Sequence, residues 1–183
     1  MEFIKINTPR LHIRNLKLSD LQDFYVYRSN PDVTKYQGFD VLTLDQCKAF
    51  IQQEYPKQYG KPGQWVQYAI EEVANNKLIG DCAIRLYEHE PRIATIGITI
   101  SHLEQQKGFA KEAMLGILSF LFNEKQLHRV EEIIDVENKA SIALIESLGF
   151  RKEAHFIENI FFKGSWGSEY QYAMLKTEWD KRN

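Results

Sequence analysis

The chain has 183 residues, of which 44% are hydrophobic and 13% aromatic; this predicts a single domain over residues 1–183 with a sizeable core. Its net charge of −2 argues against nucleic-acid binding, and no apolar run is long enough to span a bilayer. With no signal-peptide pattern at the start, we expect a cytoplasmic protein with no nucleic-acid or membrane partner.

The first third of the chain predicts one strand and two helices. Alternating apolar residues indicate a strand over 11–16. Ser19 is predicted to be the N-cap of a helix that ends before Asn30-Pro31. A second helix follows Thr43, which begins a capping box. Cys47 in this helix and Cys82 further on lack a C-x-x-C or histidine partner, so we expect buried free thiols and no metal site.

The remaining two thirds predict six strands and two more helices. The helices start at Gly108, with an apolar stripe through Leu121, and at Asn138, ending at Gly149. A helix between two apolar runs makes those runs parallel neighbours, whereas the other strands are joined by short turns. We therefore expect an α/β (α+β) fold with a mixed sheet of about seven strands and about four helices. The six strands are Trp65–Val73, Leu78–Leu86, Ile93–Ile100, Val130–Val136, Phe150–Phe162 and Glu169–Leu175.

The start of the longest helix carries the clearest functional signal. It reads Gln-Gln-Lys-Gly-Phe-Ala over 105–110 and follows a β-branched strand. A glycine at a helix start leaves amide N–H groups unpaired and pointing outward, in the positive end of the helix dipole, and such an end binds phosphate. The chain contains no P-loop, and the lone Gly108 cannot supply the glycines of a dinucleotide-binding fold.

The Q-x-x-G-x-A pattern at Gln105 resembles the acetyl-CoA pyrophosphate loop of the GNAT acyltransferases. A second motif, N-x-x-S from Asn138 to Ser141 followed by Leu-Gly-Phe, resembles the RimJ/RimL branch of that family, which acetylates protein N-termini. The opening Thr-Pro-Arg-Leu-His-Ile-Arg over 8–14 also resembles that branch. Together these motifs span nearly the whole chain.

The resemblance implies a GNAT fold in which the central strands splay apart and hold acetyl-CoA. It implies that the pantetheine arm bonds to amides of the splayed strand and that Asn138 contacts the cofactor near its thiol. Asn138 is equally explained as a helix cap, and Lys107 and Lys111 as solvated charges. The implied cofactor-binding residues are Ile98, Ile100, Gln105, Gln106, Lys107, Gly108, Phe109, Ala110, Lys111 and Asn138.

Direct acetyl transfer to an amine requires a base for the amine, donors for the oxyanion and an acid for the thiolate. The tyrosine that many relatives use as the acid is replaced here by Ile145, which leaves Ser141 as a candidate to hydrogen-bond the sulfur. A glutamate that relatives often place on the central strand is replaced by Thr95. The base is then His102, Glu104 or a water chain.

The expected function is acetyl-CoA-dependent N-acetylation of a primary amine, either a protein N-terminus or a small amine such as a polyamine, amino acid or aminoglycoside. A non-catalytic acyl-CoA-binding module is the alternative from another class. We expect a monomer or a homodimer. The acceptor site is predicted to be lined by aromatic residues and approached by acidic ones: Tyr36, Phe39, Trp65 and the hairpin 162–172, with Glu88, Glu90, Glu131 and Glu132.

Overall fold

The computed structural model describes residues 1–182 and is built around one sheet. Its eight strands within these residues are β1 (Ile6–Asn7), β2 (Leu11–Asn15), β3 (Trp65–Glu72), β4 (Lys77–Leu86), β5 (Ile93–Ile100), β6 (Arg129–Asp135), β7 (Arg151–Phe162) and β8 (Ser165–Leu175). The six helices in the same range are α1 (Leu21–Arg28), α2 (Pro31–Thr34), α3 (Leu44–Glu54), α4 (Phe109–Ser119), α5 (Lys139–Ser147) and α6 (Lys176–Trp179).

The strand order is β1-β2-β3-β4-β5-β6-β8-β7. Neighbours are antiparallel except β5 and β6, which are parallel because α4 carries the chain back across the sheet between them. This parallel pairing covers only residues 93–95 of β5 and 129–131 of β6. Beyond Thr95 and Glu131 the two strands separate, and a gap opens in the middle of the sheet.

The helices pack on both faces of the sheet. Residues of α4 and α5 share one apolar cluster with the strands, and residues of α1 and α3 share a second with Ala69 and Leu78. Neighbouring β3 residues alternate between the clusters, since Tyr68 and Ile70 belong to the first and Ala69 to the second. The α/β GNAT fold expected from the sequence is confirmed, with the splayed central strands it implies.

The structure contains slightly more elements than the approximate count from the sequence. The sheet has eight strands where about seven were expected, and there are six helices among residues 1–182 where about four were expected. The additional elements are β1, with two residues, and α2 and α6, with four residues each. Elements this short show no hydrophobic periodicity, so pattern analysis cannot detect them.

Two local predictions were wrong. Asp20, and not Ser19, organises the entry to α1, because a 3-10 turn precedes the helix and the Asp20 carboxylate accepts the Lys17 amide at 2.9 Å. The last hairpin turns at Lys163-Gly164, both with positive φ (47° and 88°), as in a two-residue type I′ turn. Consequently β8 starts at Ser165, four residues earlier than expected.

The β1–β2 turn is fastened to the start of α4. The Glu112 carboxylate accepts hydrogen bonds from the Thr8 hydroxyl at 2.6 Å and from the Arg10 amide at 2.8 Å. Gly116, one turn further on, permits this approach, since a Cβ there would lie 2.9 Å from the Thr8 methyl. Glu112 is therefore a structural residue, and its contacts hold the helix start in place.

Both cysteines are buried free thiols, as expected. Within residues 1–182, no helix has the length and apolar character needed to cross a bilayer.

Candidate active site

The start of α4 presents an open set of backbone donors. Gly108 occupies the N-cap position with φ of 81°, and no side chain caps the helix. Gln106, two residues earlier, also has positive φ (61°). Within residues 1–182, the amides of residues 108–111 donate to no acceptor. Successive free N–H groups at a helix N-terminus form a concave site for an anion.

The gap beside β5 supplies further free amides. The Ser101 amide donates to the carbonyl of Ile79 on β4, and the Tyr87 amide donates to Ile93. Because backbone direction alternates along an antiparallel pair, the odd-numbered residues of β5 bond to β4. The amides of Ile98 and Ile100 therefore point into the gap, where β6 no longer pairs with β5.

The start of α5 borders the same gap. The Asn138 side chain caps this helix by accepting the Ser141 amide at 3.2 Å, as its cap interpretation predicts. The Ser141 hydroxyl has no hydrogen-bond partner among residues 1–182. Ile145, where the related tyrosine would lie, is 0% exposed in the core. Ser141 is therefore the hydroxyl that α5 offers to the gap.

A cavity of about 1070 Å³ joins these parts. The structure brings ten of the predicted site residues to its lining: Ile98, Ile100, Gln105, Gln106, Gly108, Phe109, Ala110, Lys111, Asn138 and Ser141. His102 is exposed and outside this lining, as is Lys107, whose ammonium lies 2.6 Å from Glu104. The Gln105 side chain donates to the Ile100 carbonyl at 3.2 Å and so fastens the loop to β5.

Comparison with known proteins agrees with this geometry. The family model "Acetyltransferase (GNAT) domain" matches residues 10–151. The chain belongs to the GNAT acetyltransferase family. It is 33% identical over 175 residues to the uncharacterized N-acetyltransferase YnaD of Bacillus subtilis, covering 96% of this chain and 99% of that protein.

Two further relatives have informative names. The crystal structure of a GNAT-family acetyltransferase from Bacillus anthracis superposes with a TM-score of 0.86 at 27% identity, covering 96% of this chain and all (100%) of that one. The spermidine N(1)-acetyltransferase of Vibrio cholerae is 24% identical over 180 residues, covering 95% of this chain and 98% of that protein. The protein is thus an acetyltransferase of the GNAT type.

The other side of the acetyltransferase cavity is built on a buried ion pair. Arg28 and Asp81 are 1% and 0% exposed, and Asp81 also accepts the Tyr27 hydroxyl at 2.6 Å. Arg28 continues the network by donating to Gln37 at 2.7 Å, and Gln37 donates to the Thr99 hydroxyl at 2.7 Å. This network fixes the loop after α2 against β5, and Phe39 packs over the Arg28 guanidinium at 4.7 Å.

Tyr36, Phe39 and Trp65, predicted to be near the acceptor, all line this side of the cavity. Of the four predicted acidic residues, only Glu132 does so; Glu131 bonds to Tyr87, Arg129 and Gln171 on the opposite face of β6. Glu90 pairs with Arg92 at 2.7 Å. The other acidic residues of the lining are Glu104, which the sequence analysis named as a candidate base, Glu169 from the predicted hairpin 162–172, and Asp32 and Asp135, which it did not select.

Two residues near the cavity have contacts or properties that the sequence analysis did not predict. Arg10 lies against the loop before α4: it donates to the Lys107 carbonyl at 3.1 Å and its guanidinium carbon lies 4.4 Å from the centre of the Phe109 ring. The sequence signal that could have identified Arg10 is its place in the Thr-Pro-Arg-Leu-His-Ile-Arg motif over residues 8–14. Burial raises the pKa of Glu132 to about 8; no sequence signal marks that, since it depends on packing.

Proposed function

We propose that this acetyltransferase transfers the acetyl group of acetyl-CoA directly to a primary amine. The observation that carries the proposal is the continuity between the free amides at the start of α4, the free amides of the gap, and the cavity beyond them. A diphosphate at one end and a thioester in the gap would place the acetyl carbon in the cavity, within reach of an acceptor entering from the side of Phe39.

Each part of the site has a role in this proposal. The amides around Gly108 hold the diphosphate, with Lys111 as a nearby positive charge. The amides of Ile98 and Ile100 orient the arm, and backbone N–H groups of β5 stabilise the oxyanion of the tetrahedral intermediate. Ser141 donates a hydrogen bond to the sulfur. His102 stays a candidate base, but from outside the cavity it would act through water.

The diphosphate site can be tested by a single charge. Gln106 is exposed, lines the cavity and has no ion-pairing role, so Gln106→Glu changes only the charge of a nearly isosteric side chain. We expect CoA to bind about tenfold more weakly, because a carboxylate some 4 Å from a phosphate costs about 1 kcal/mol or more. The loss should shrink in high salt. Calorimetric titration with CoA measures both effects.

Gln52→Glu is the matched control, since Gln52 is exposed on α3 and outside the cavity lining. It makes the same change in net charge and should leave CoA affinity unaltered. Equal affinities for the Gln106 variant and the unaltered protein would contradict diphosphate binding at this loop.

The charge of the cavity favours a cationic acceptor. Three of its carboxylates, from Asp32, Asp135 and Glu169, form no ion pair within residues 1–182. Of the two arginines in the lining, Arg28 is paired with Asp81, and Arg85 stacks on Trp65 at 4.9 Å without an ion pair within residues 1–182. The three carboxylates therefore outnumber the one uncompensated guanidinium, and the remaining cation of the lining, Lys111, is the charge placed near the diphosphate. An ammonium group would be attracted to this side of the cavity before it loses its proton.

Two contacts across the mouth favour a small amine over a protein N-terminus. The Tyr36 hydroxyl donates to the Glu137 carbonyl at 3.0 Å, and the Lys163 ammonium donates to the Thr34 carbonyl at 2.7 Å. Both tie the end of α2 and the loop after it to the opposite wall. A folded protein would have to break them, whereas a slender polyamine, the substrate class named for the V. cholerae relative, need not. Acetylation of a protein N-terminus, the activity of the RimJ/RimL branch, is therefore the second candidate function.

Thiol release measured over a panel of acceptors tests both candidates. We expect turnover with acetyl-CoA and at least one polyamine, amino acid or aminoglycoside, at rates above those with peptides bearing varied N-terminal residues. Faster turnover of a peptide than of every free amine would reverse the order of the two acceptors. CoA binding without turnover of any amine would contradict the acetyltransferase proposal and favour a non-catalytic acyl-CoA-binding module.

A further inference from the structure

Glu132 lies at the apex of the gap, which is the closed end where β5 and β6 begin to separate. It is the first residue of β6 beyond the last pair with β5, and it lines the cavity. Its side chain is only 8% exposed and has no hydrogen bond or ion pair within residues 1–182. Unpartnered buried carboxyl groups are rare because burial without a partner costs free energy. Such a group facing a ligand cavity is a candidate for chemistry.

The surroundings of Glu132 hold no charge that could compensate it. Its neighbours on the same face of β6, Val130 and Ile134, are apolar and belong to the core. Tyr172 lies opposite on β8, but its hydroxyl donates to Glu146 of α5 at 2.8 Å. The ammonium of Lys152 lies over Tyr170, 3.4 Å from the ring centre.

The remaining charged groups near Glu132 are also turned away or engaged elsewhere. Glu131 and Asp135 point to the other face of β6. Lys111 and Glu104 lie at the far, α4 end of the same cavity. Burial alone therefore raises the pKa of Glu132 to about 8, which leaves it mostly protonated at neutral pH.

The apex is also where the reacting end of the cofactor would lie. The diphosphate site follows Ile100 at the open end of the gap, and Ile96 lies beside the apex. These two residues are about 13 Å apart along the strand at about 3.3 Å per residue. A pantetheine arm of coenzyme A that enters the gap at Ile100 and runs along β5 would bring its sulfur toward Ile96 and Glu132.

We propose that Glu132 is the acid that protonates the departing thiolate of coenzyme A, a role that rests on the proposed function. When the tetrahedral intermediate collapses, the carbon–sulfur bond breaks and its electron pair moves to sulfur. The carboxyl proton of Glu132 transfers to the sulfur, giving the free thiol and a carboxylate. The ammonium loses one proton to water before the neutral amine attacks, and the nitrogen loses a second proton as the intermediate collapses. One of these protons, carried by water, restores the acid of Glu132, and the other is released to solvent.

This assignment fits the other residues of the site. Ile145 offers no proton, and the Ser141 hydroxyl can orient the sulfur while keeping its own proton. A free thiol has a pKa of about 8.5, close to that of Glu132, so transfer between the two is nearly balanced in free energy.

The decisive measurement is the pH dependence of kcat with a saturating amine. The unaltered protein should lose rate above about pH 8, where Glu132 ionises. Glu132→Gln should lower kcat about 100-fold near pH 7 and remove that falling limb. Glu131→Gln, an isosteric change on the opposite face of β6, should keep the limb, and Ser141→Ala should lower kcat without moving it.

Three outcomes would overturn the proposal. An unchanged falling limb in Glu132→Gln would exclude Glu132 as the acid while leaving acetyl transfer intact. If Glu132→Gln instead removed a rising limb on the acidic side of the kcat profile, Glu132 would act as a base and not as an acid. A protein that binds CoA but acetylates no amine would remove the proposed function together with this role.

Thermal unfolding provides a readout that does not depend on turnover. The folded protein keeps a proton on Glu132 that the unfolded chain releases above about pH 4.5, so stability contributed by that proton is lost as the pH rises from about 4.5 to about 8. The melting temperature of Glu132→Gln should therefore fall less over this interval. Identical pH dependence of the melting temperature in the two proteins would mean that folding does not change the pKa of Glu132. The residue would then be ionised at neutral pH, which contradicts the proposal.

Discussion

Asp81→Ala is expected to destabilise the protein by about 3 to 5 kcal/mol, because it leaves the Arg28 guanidinium buried without its counter-ion. The variant also removes the acceptor for Tyr27 and Gln67, both of which donate to the same carboxylate. A loss of this size is a large part of the total stability of a typical domain. Chemical denaturation followed by circular dichroism measures it.

The double variant Arg28→Met/Asp81→Leu separates the buried charge from the lost packing. Replacing both partners of a buried ion pair by apolar residues is often neutral or stabilising. We expect the double variant to recover at least half of the loss, with Tyr27 and Gln67 accounting for the rest at about 1 kcal/mol or more each. A double variant as unstable as Asp81→Ala would show that the uncompensated guanidinium is not the cause.

This network also bears on the side of the cavity proposed to receive the acceptor. Arg28 holds Gln37, and Gln37 holds Thr99 of β5, so the loop that carries Tyr36 and Phe39 depends on the same ion pair. Buried polar contacts of this kind specify one arrangement of a loop, since each alternative leaves a donor or acceptor unsatisfied.

Gly97→Val is expected to lower kcat/KM for the amine by about 100-fold or more while leaving the fold intact. Gly97 lies on the same face of β5 as Thr95 and Thr99, and a Cβ there would meet nothing within 4 Å. Its missing side chain is therefore part of the cavity, and a valine would fill space needed for the acceptor and the acetyl group. A misplacement of about 1 Å between reactants can cost about 100-fold in rate.

The series Gly97→Ala and Gly97→Val provides the control, because the loss should grow with the size of the side chain. Neither variant requires an unfavourable φ, and valine suits a strand better than glycine does, so the melting temperature should not fall. CoA affinity should change less than the KM for the amine. Wild-type kinetics in the valine variant would mean that the acceptor does not pass over Gly97.

Several features could be predicted because their causes lie within a few residues. The capping box of α3 forms as its sequence indicates: the Thr43 hydroxyl accepts the Gln46 amide at 3.3 Å, and the Gln46 side chain accepts the Thr43 amide at 2.8 Å. Gly149, predicted as the residue that ends α5, has φ of 80°. The order of long strands and helices follows from hydrophobic periodicity in the same way.

Other features escaped prediction because they join distant parts of the chain. Arg10 and Glu112 form one contact across 102 residues, and Arg28 and Asp81 form another across 53. His102 had a suitable side chain in a suitable loop, yet the turn after β5 leaves it exposed outside the cavity lining.

By itself, the sequence determined the family fold, the helix that opens at Gly108 and the loop proposed to bind the diphosphate, because strand and helix periodicity and glycine conformation are local properties. Only the tertiary structure decided which charged groups are neutralised and which are left for chemistry. Glu131 and Glu132 are adjacent and identical in sequence, but Glu131 accepts hydrogen bonds from Tyr87, which follows β4, and from residues of β6 and β8, whereas Glu132 is surrounded by apolar side chains. The free energy of a buried carboxylate depends on that environment, which no short stretch of sequence contains.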